Sequence, residues 1–321
     1  MNDQQLQDSL PEGLAKRIQS LRQRETGITA IVDANGLSAE ERIRFEADLD
    51  RQLQSLTGAE DIRIAMMADR PARQIIAVGS GKGGVGKSTL SANLAIALTQ
   101  MGHKVGLVDA DIYGPSLPKI LGVEGQRPRA ENDRLLPVSS EWGVPVLSMG
   151  QLVEPGKAIA WRGPMAGNAL KQLIDAQWGD AEWIVVDLPP GTGDVQLTML
   201  QSHKPAGAVI VSTPQDLALI DARRAMQLFE MGKVPILGLV ENMAGYACPH
   251  CGEISDPFGK GGVEQAAHDL GLPFLGRIPL TVAIREGGDS GTPVAAGDSE
   301  QAEAFQHIAS AMMLALTGKA H

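Results

Sequence analysis

Residues Gln74 to Thr89 read QIIAVGSGKGGVGKST, and their reading decides the fold. Gln74 to Gly79 is a short apolar, β-favouring run bounded by glycine, the pattern of a buried strand. Gly81, Gly86, Lys87 and Ser88 then fit the spacing G-x-x-x-x-G-K-[ST]. Leu90, Ala92, Leu94, Ala95 and Leu98 follow at helical spacing. Strand, glycine loop and helix in that order is the setting this spacing needs. Gly81, Gly83, Gly84 and Gly86 let the backbone curl with its N–H groups inward, and a phosphate fits such a nest. The positive end of the following helix dipole adds to the attraction. Lys87 is the expected point charge for the β- and γ-phosphates, and the Ser88 hydroxyl is the expected magnesium ligand. Val85 and Thr89 complete the predicted nucleotide-binding stretch.

The rest of the chain supplies matching parts. Val108 to Ser116 reads VDADIYGPS, with Asp109 and Asp111 at the end of a predicted strand. A carboxylate there can position an attacking water or touch hydrated magnesium. Trp183 to Asp194 reads WIVVDLPPGTGD. Four apolar residues followed by Asp187 form a buried strand that delivers one carboxylate to the magnesium shell, and the Pro- and Gly-rich continuation suits a nucleotide-sensitive switch. Asp194 is expected to cap the next helix. Asn242 ends another strand, where an amide offers both a donor and an acceptor to a nucleobase edge; an Asn ending a strand is also a common turn residue.

Composition narrows the setting. The chain has 321 residues, a net charge of -10 and 43% hydrophobic residues, ordinary for a globular protein with one large domain or one large and one small. The acidic balance argues against general nucleic-acid binding. Two cysteines imply no disulfide framework. The first ten residues, MNDQQLQDSL, carry no secretory pattern, and no apolar run is long enough to span a membrane. A cytoplasmic location is therefore expected.

Residues 1–67 read as a small accessory unit, a partial β-α-β. It has a short helix at Leu14 to Leu21, strands at Ile28 to Val32 and Ile62 to Met66, and an amphipathic helix at Ser38 to Leu56. That helix carries Ile43, Phe45, Leu49 and Leu53 on one face, with Ser38 and Glu41 forming a capping box. Ala68 to Arg73 is the linker. Residues 74–321 alternate strands (Val105 to Asp109, Val144 to Met149, Trp183 to Asp187, Ala208 to Ser212, Ile236 to Asn242, Phe274 to Ile278) with helices (Pro164 to Gln177, Gln215 to Met231), and Gly125 to Asp133 is a polar loop. Near-continuous apolar strands alternating with helices predict an α/β fold, a mostly parallel sheet covered on both faces, with ligands at the carboxyl ends of its strands. Glu300 to Leu316 reads as a helix packed on that sheet. A membrane-surface helix would carry Lys or Arg on its polar face, and here only Lys319 lies nearby.

Tyr246 to Gly252 reads YACPHCG, with Cys248 and Cys251 two residues apart. A thiol–disulfide pair, half of a zinc knuckle and half of an iron–sulfur site are all open to it. All-thiolate metal sites need four sulfurs, and this chain has two.

Lys82, directly after the first loop glycine, makes the loop resemble the deviant Walker A motif of the MinD/ParA and nitrogenase iron protein class. In that class the extra lysine reaches across a dimer, and the second aspartate of the VDADIYGPS segment, here Asp111, orients the water. The class also implies that Asn242 contacts adenine. The set GKGGVGKST, VDADIYGPS, WRGPM (Trp161 to Met165), DLPPGTGD, STPQD (Ser212 to Asp216) and ENMAGYACPHCG resembles the Mrp/ApbC family of iron–sulfur carrier ATPases from Gln74 to about Leu316. The resemblance implies a P-loop ATPase with ATP, Mg2+ and a [4Fe-4S] cluster. It assigns Lys82, Lys87 and Asp111 to catalysis, Ser88 and Asp187 to magnesium, and Cys248 and Cys251 to the cluster. Because a cubane needs four thiolates, two copies would share one cluster, and apo iron–sulfur proteins would receive it. Neither nucleic acid nor membrane is expected as a partner. A MinD/ParA-like positioning ATPase with a structural zinc or redox pair is the alternative reading.

Overall fold

The computed structural model describes residues 2–24, 27–35, 37–59, 61–67, 73–153 and 163–318. The linker residues 68–72, Trp161 and Arg162 of the WRGPM motif, and Lys319 lie outside them. The chain divides into two compact units, Met1–Ala72 and Arg73–His321.

The small unit contains α1 (Asp3–Asp8), α2 (Glu12–Ala15), β1 (Ile18–Arg24), β2 (Gly27–Asp33), α3 (Ala39–Thr57) and β3 (Ile62–Met67). β2 and β3 are parallel across α3, and β1 adds to β2 antiparallel. The helix predicted over Leu14 to Leu21 is thus a single turn, α2, followed by a strand. Pairing with β2 and burial of Ile18 and Leu21 override the local helical pattern. The capping box of α3 is present, with Glu41 N–H donating to Ser38 Oγ and Ser38 N–H to Glu41 Oε2. Leu49 and Leu53 are buried, while Ile43 is exposed. At about 100° per residue, Ile43 sits some 120° from the Leu49 direction, outside the core-facing stripe.

The large unit runs β4 (Gln74–Gly79), α4 (Lys87–Gln100), β5 (Val105–Asp109), α5 (Leu117–Ile120), β6 (Arg129–Glu131), β7 (Arg134–Leu136), β8 (Val146–Ser148) and α6 (Gly163–Ile174). It continues with β9 (Trp183–Asp187), α7 (Asp194–Ser202), β10 (Gly207–Ser212), α8 (Asp216–Met231), β11 (Ile236–Ala247), β12 (Ile254–Ser255), α9 (Gly262–Leu270), β13 (Phe274–Leu280), α10 (Val282–Ser290) and α11 (Glu300–Leu316). The main sheet has the order β12-β11-β10-β4-β9-β5-β8, and β13 also pairs with β11. Every pairing in it is parallel except that of β12. α4 and α11 cover one face, where Phe305, Ile308 and Met312 are fully buried. α6, α7, α8 and α9 cover the other. The terminal helix is therefore a core element, as its apolar spacing predicts.

Three local differences bear on reading such chains. The polar stretch Gly125 to Asp133 contains β6 and the turn of a β6–β7 hairpin. Asn132 and Asp133 both take positive φ there, the geometry a two-residue hairpin turn favours. Strand β8 covers only Val146–Ser148, because Met149 already begins a 3-10 turn. Strand β11 continues past Asn242 to Ala247 through a left-handed residue, Met243, at φ 60°.

Candidate functional site

The parallel sheet brings the ends of β4, β5, β9 and β11 to one edge. β5 and β9 lie side by side in a register that sets Asp109 opposite Asp187, and β4 sets Val78 opposite Asp187. A cleft of about 630 Å³ opens at this edge, within the range of small-molecule sites. Lys82, Gly83, Gly84, Gly86, Lys87, Ser88, Thr89, Asp111 and Asn242 line it, together with Pro279 to Thr281 and α10 on the far side. Val85 is buried beneath the loop, and Gly81 packs against α8.

Two glycines are fixed by close approach. A Cβ on Gly81 would lie 2.0 Å from the backbone carbon of Asp221 in α8, and one on Gly86 would lie 2.0 Å from Asn242 Nδ2. Gly86, at φ 83°, opens α4 without any side-chain cap. The first-turn amides of a 14-residue helix thus face the loop with no capping side chain, which is the arrangement that receives an anion.

Asp187 is the hub. Fully buried, it accepts from Ser88 Oγ at 2.6 Å through Oδ2 and from Ser91 Oγ at 2.6 Å through Oδ1. Lys87 Nζ lies 2.8 Å from Oδ2. The ammonium is nonetheless not aligned for a hydrogen bond with any acceptor among the described residues. A buried cation without an aligned acceptor fits an anionic ligand, and a carboxylate beside a hydroxyl fits a hard divalent cation. The residues present therefore suit a magnesium nucleotide: Lys87 and the α4 amides for phosphate, Ser88 and Asp187 for the metal shell. Ser91, which the motif does not include, also holds Asp187; it lies one turn beyond Ser88 on the same helix face.

The two aspartates at the end of β5, Asp109 within it and Asp111 just beyond, differ in their surroundings. Asp109 is fully buried and accepts from the Asp111, Ser116 and Leu117 amides and from Ser148 Oγ. Burial, reinforced by the nearby Asp187 charge, pushes its carboxyl up to about 7 against the pull of those amides. It organises the loop. Asp111 lines the cleft, and its Oδ1 accepts from the amides of Tyr113 and Gly114. Asp194 does not cap α7: Gly193 occupies the cap position, no side chain bonds there, and Asp194 stands in the first turn.

Asn242 lines the cleft, but its Nδ2 donates to the Val85 carbonyl at 2.7 Å. The amide nitrogen predicted to meet a nucleobase is bound to the phosphate loop itself. Lys82 Nζ reaches Gln215 Oε1 at 3.4 Å, a long contact at the rim. Its carbonyl accepts from Ser80 Oγ.

Cys248 and Cys251 form the tip of a hairpin on the same strand. β11 and β12 pair Tyr246 with Ser255 and Ala247 with Ile254. Cys248 N–H donates to the Glu253 carbonyl, and Gly252 N–H returns to the Cys248 carbonyl. Cys248 is half-buried and Cys251 exposed, both as free thiols. Backbone amides of His250 and then Cys251 aimed at the sulfur, with the Cys251 thiol, lower the Cys248 thiol below its usual range. No group of three or more Cys, His, Asp or Glu side chains that could hold a metal occurs among the described residues. The return leg is tied down by Glu241, fully buried next to Asn242. Its carboxylate accepts from the Gly261 and Val263 amides and from Arg277 Nε.

The chain is similar to several known proteins. An iron–sulfur cluster carrier protein of Methanocaldococcus jannaschii is 44% identical over 247 residues, 76% of this chain and 85% of the relative. A mitochondrial iron–sulfur protein required for NADH dehydrogenase in Arabidopsis thaliana is 49% identical over 242 residues, 74% of this chain and 77% of its own. A nucleotide-binding protein of Archaeoglobus fulgidus, solved with ADP, superposes with a TM-score of 0.61 at 38% identity, covering 68% of this chain and 86% of its own. The Pyrococcus horikoshii septum site-determining protein MinD, solved with Mg-ADP, gives 0.56 at 26% identity over 74% of this chain and 94% of its own. No helix among the described residues is long and apolar enough to cross a membrane. Residues 71–313 match the family described as ParA: NUBPL iron-transfer P-loop NTPase, and with these relatives the chain belongs to that family of P-loop iron–sulfur cluster carriers.

Proposed function

We propose that this chain hydrolyses ATP with magnesium and couples the cycle to holding and handing on a [4Fe-4S] cluster. The observation that carries the reading is β11. The strand braces the phosphate loop through Asn242 and, six residues later, presents Cys248 on an exposed hairpin. One element thus belongs to both sites.

In the nucleotide site, Lys87 and the α4 amides hold the β- and γ-phosphates, Ser88 and Asp187 serve the magnesium shell, and Asp111 orients the attacking water. Asn242 keeps Gly86 and Val85 in the receiving shape and meets the base only through what its amide has left. Lys82, at the rim, acts on the nucleotide of a second copy. In the carrier site, Cys248 and Cys251 supply half the ligands of a cubane, and a homodimer supplies all four around a two-fold axis. Exposure of the thiols gives apo iron–sulfur recipients access for ligand exchange. The cytoplasm is the setting that fits reduced thiols, and neither membrane nor nucleic acid enters the scheme.

Anaerobic reconstitution with iron and sulfide tests the proposal. The expected result is a sulfide-dependent visible chromophore and ATP hydrolysis by the same protein. ATP hydrolysis without any such chromophore would instead support a positioning ATPase whose cysteines hold zinc or a disulfide.

A further inference from the structure

Gln196 lies in α7, outside the phosphate loop and both aspartate motifs, yet it is buried with 3% of its surface exposed. Its Nε2 donates to two carbonyls of the segment that follows Asp187: Pro189 at 2.6 Å and Gly191 at 3.2 Å. Both partners are acceptors, so the amide can stand only one way round. Its Oε1 is buried without a hydrogen-bond partner among the described residues. A native fold seldom leaves such an acceptor unmatched, because an unmet buried polar atom is unfavourable. The side chain is held there by what its nitrogen does.

The two carbonyls flank Pro190, which lines the nucleotide cleft. Gly191 takes φ 88°, and its N–H donates to the Ser80 carbonyl at 3.0 Å. Ser80 Oγ in turn donates to the Lys82 carbonyl at 3.0 Å. A continuous chain of bonds therefore runs from α7 through the loop after Asp187 to the phosphate loop. Proline at 189 and 190 removes two backbone donors from this segment, so the loop relies on its carbonyls for anchorage, and Gln196 takes two of them.

We propose that Gln196 is a positioning residue for nucleotide hydrolysis: through its two bonds it fixes the loop Pro189–Gly191 against the cleft. The inference rests on the hydrolytic reading above, and it concerns geometry that can be read separately from turnover.

The test uses the full chain with Gln196→Glu and Gln196→Ala. Glutamate keeps the size and shape of the side chain, but its ionised form has no donor and faces two carbonyls. Burial raises the pKa of such a carboxyl, and its protonated form regains one donor. Gln196→Glu should therefore lose about tenfold or more in ATP turnover at pH 8 and recover several-fold toward pH 6, relative to the wild-type protein at each pH. ADP affinity by calorimetry should stay within about threefold. Gln196→Ala should lose turnover with no such recovery. In both variants hydrogen exchange at the Gly191 amide should accelerate. Turnover of Gln196→Glu within twofold of wild type across the pH range, or unchanged exchange at Gly191 in both variants, would overturn the role. A wild-type protein that does not hydrolyse ATP would count against the proposed function, and Gly191 exchange would still decide whether Gln196 holds the loop.

Discussion

The phosphate loop and the cysteine hairpin both meet β11, one through Asn242 and the other at the strand's end, and are built in opposite ways. Around the loop, charges and hydroxyls are buried and tied to one another: Asp187 carries Ser88, Ser91 and Lys87, and Asn242 locks the Val85 carbonyl. The hairpin presents two free thiols at the surface, with no third ligand-type side chain grouped with them among the described residues. A site for phosphate can be complete within one chain, because backbone amides, a lysine and a carboxylate suffice. A cubane site cannot be completed by two thiolates. Under the proposed function, the contrast puts the need for a second copy at the hairpin for cluster binding, and at Lys82 for hydrolysis but not for phosphate binding.

The sharpest break of this comparison targets the hairpin. Cys248→Ser or Cys251→Ser should abolish stable cluster binding altogether and leave ATP affinity within about twofold, since neither sulfur lines the cleft. Iron and sulfide analysis with light scattering extends the test. About four of each per two chains is expected, whereas about four per chain in a protein that stays monomeric would refute the shared cluster.

The converse change is Lys87→Ala. It removes the phosphate charge and leaves the buried Asp187 without its counter-ion. ATP affinity should fall by about a hundredfold or more, and the unfolding free energy of the large unit by a few kcal/mol, on the order of 3. The metal-free hairpin should keep its thiol reactivity. Calorimetry and chemical denaturation read the first two effects, and unchanged affinity would remove Lys87 from the phosphate site.

Lys82→Ala sharpens the comparison, because Lys82 is the one cleft residue assigned to a neighbouring copy. Nucleotide binding should drop only a few-fold, by about 1 kcal/mol, while hydrolysis is lost. Mixing this variant with Asp111→Ala chains should restore part of the activity. One composite site of the mixed dimer then has both its own aspartate and the partner's lysine. Verified subunit exchange with no rescue would place Lys82 in its own site and make the nucleotide half independent of the dimer.

A last test is pH dependence, measured without nucleotide or magnesium. Asp109 has a folded pKa of about 7 against an ordinary 3.8. Between those values the folded chain holds a proton that the unfolded chain has lost. Stability of the large unit should therefore decline as pH rises from about 4 through 7, by at most about 1.4 kcal/mol per pH unit from this group, and level off above. Denaturation midpoints across pH, with the Asp109 carboxyl followed by NMR, check the slope. A flat profile would show that the four hydrogen bonds to Asp109 outweigh its burial.

Much of this was legible in the sequence. The strands at Gln74–Gly79, Val105–Asp109 and Trp183–Asp187 and the helix at Glu300–Leu316 fall where the apolar pattern puts them. Fully buried elements leave continuous or helical apolar signatures. Elements stabilised mainly by pairing were not legible. β1 hides in a helix-like polar segment, the β6–β7 hairpin in a polar loop, and the last residues of β11 beyond an asparagine that reads as an end. Asn242 shows the same limit at the site. Its position was readable, but its partner, the carbonyl of Val85, was not.

The phosphate loop, the strands that serve it and the presence of only two thiols could be read from the sequence alone, because each is written in adjacent residues whose chemistry is local. Tertiary structure alone decided which groups meet. Ser88 and Asp187 are 99 residues apart, Asn242 and Val85 157, and each pair is joined only when parallel crossovers bring the strand ends to one edge. The roles of Ser91 and Glu241 arise in the same way, whereas Gln196 meets carbonyls only five and seven residues before it. A buried polar side chain takes its meaning from the partner that satisfies it, and that partner is set by the sheet order rather than by neighbours along the chain.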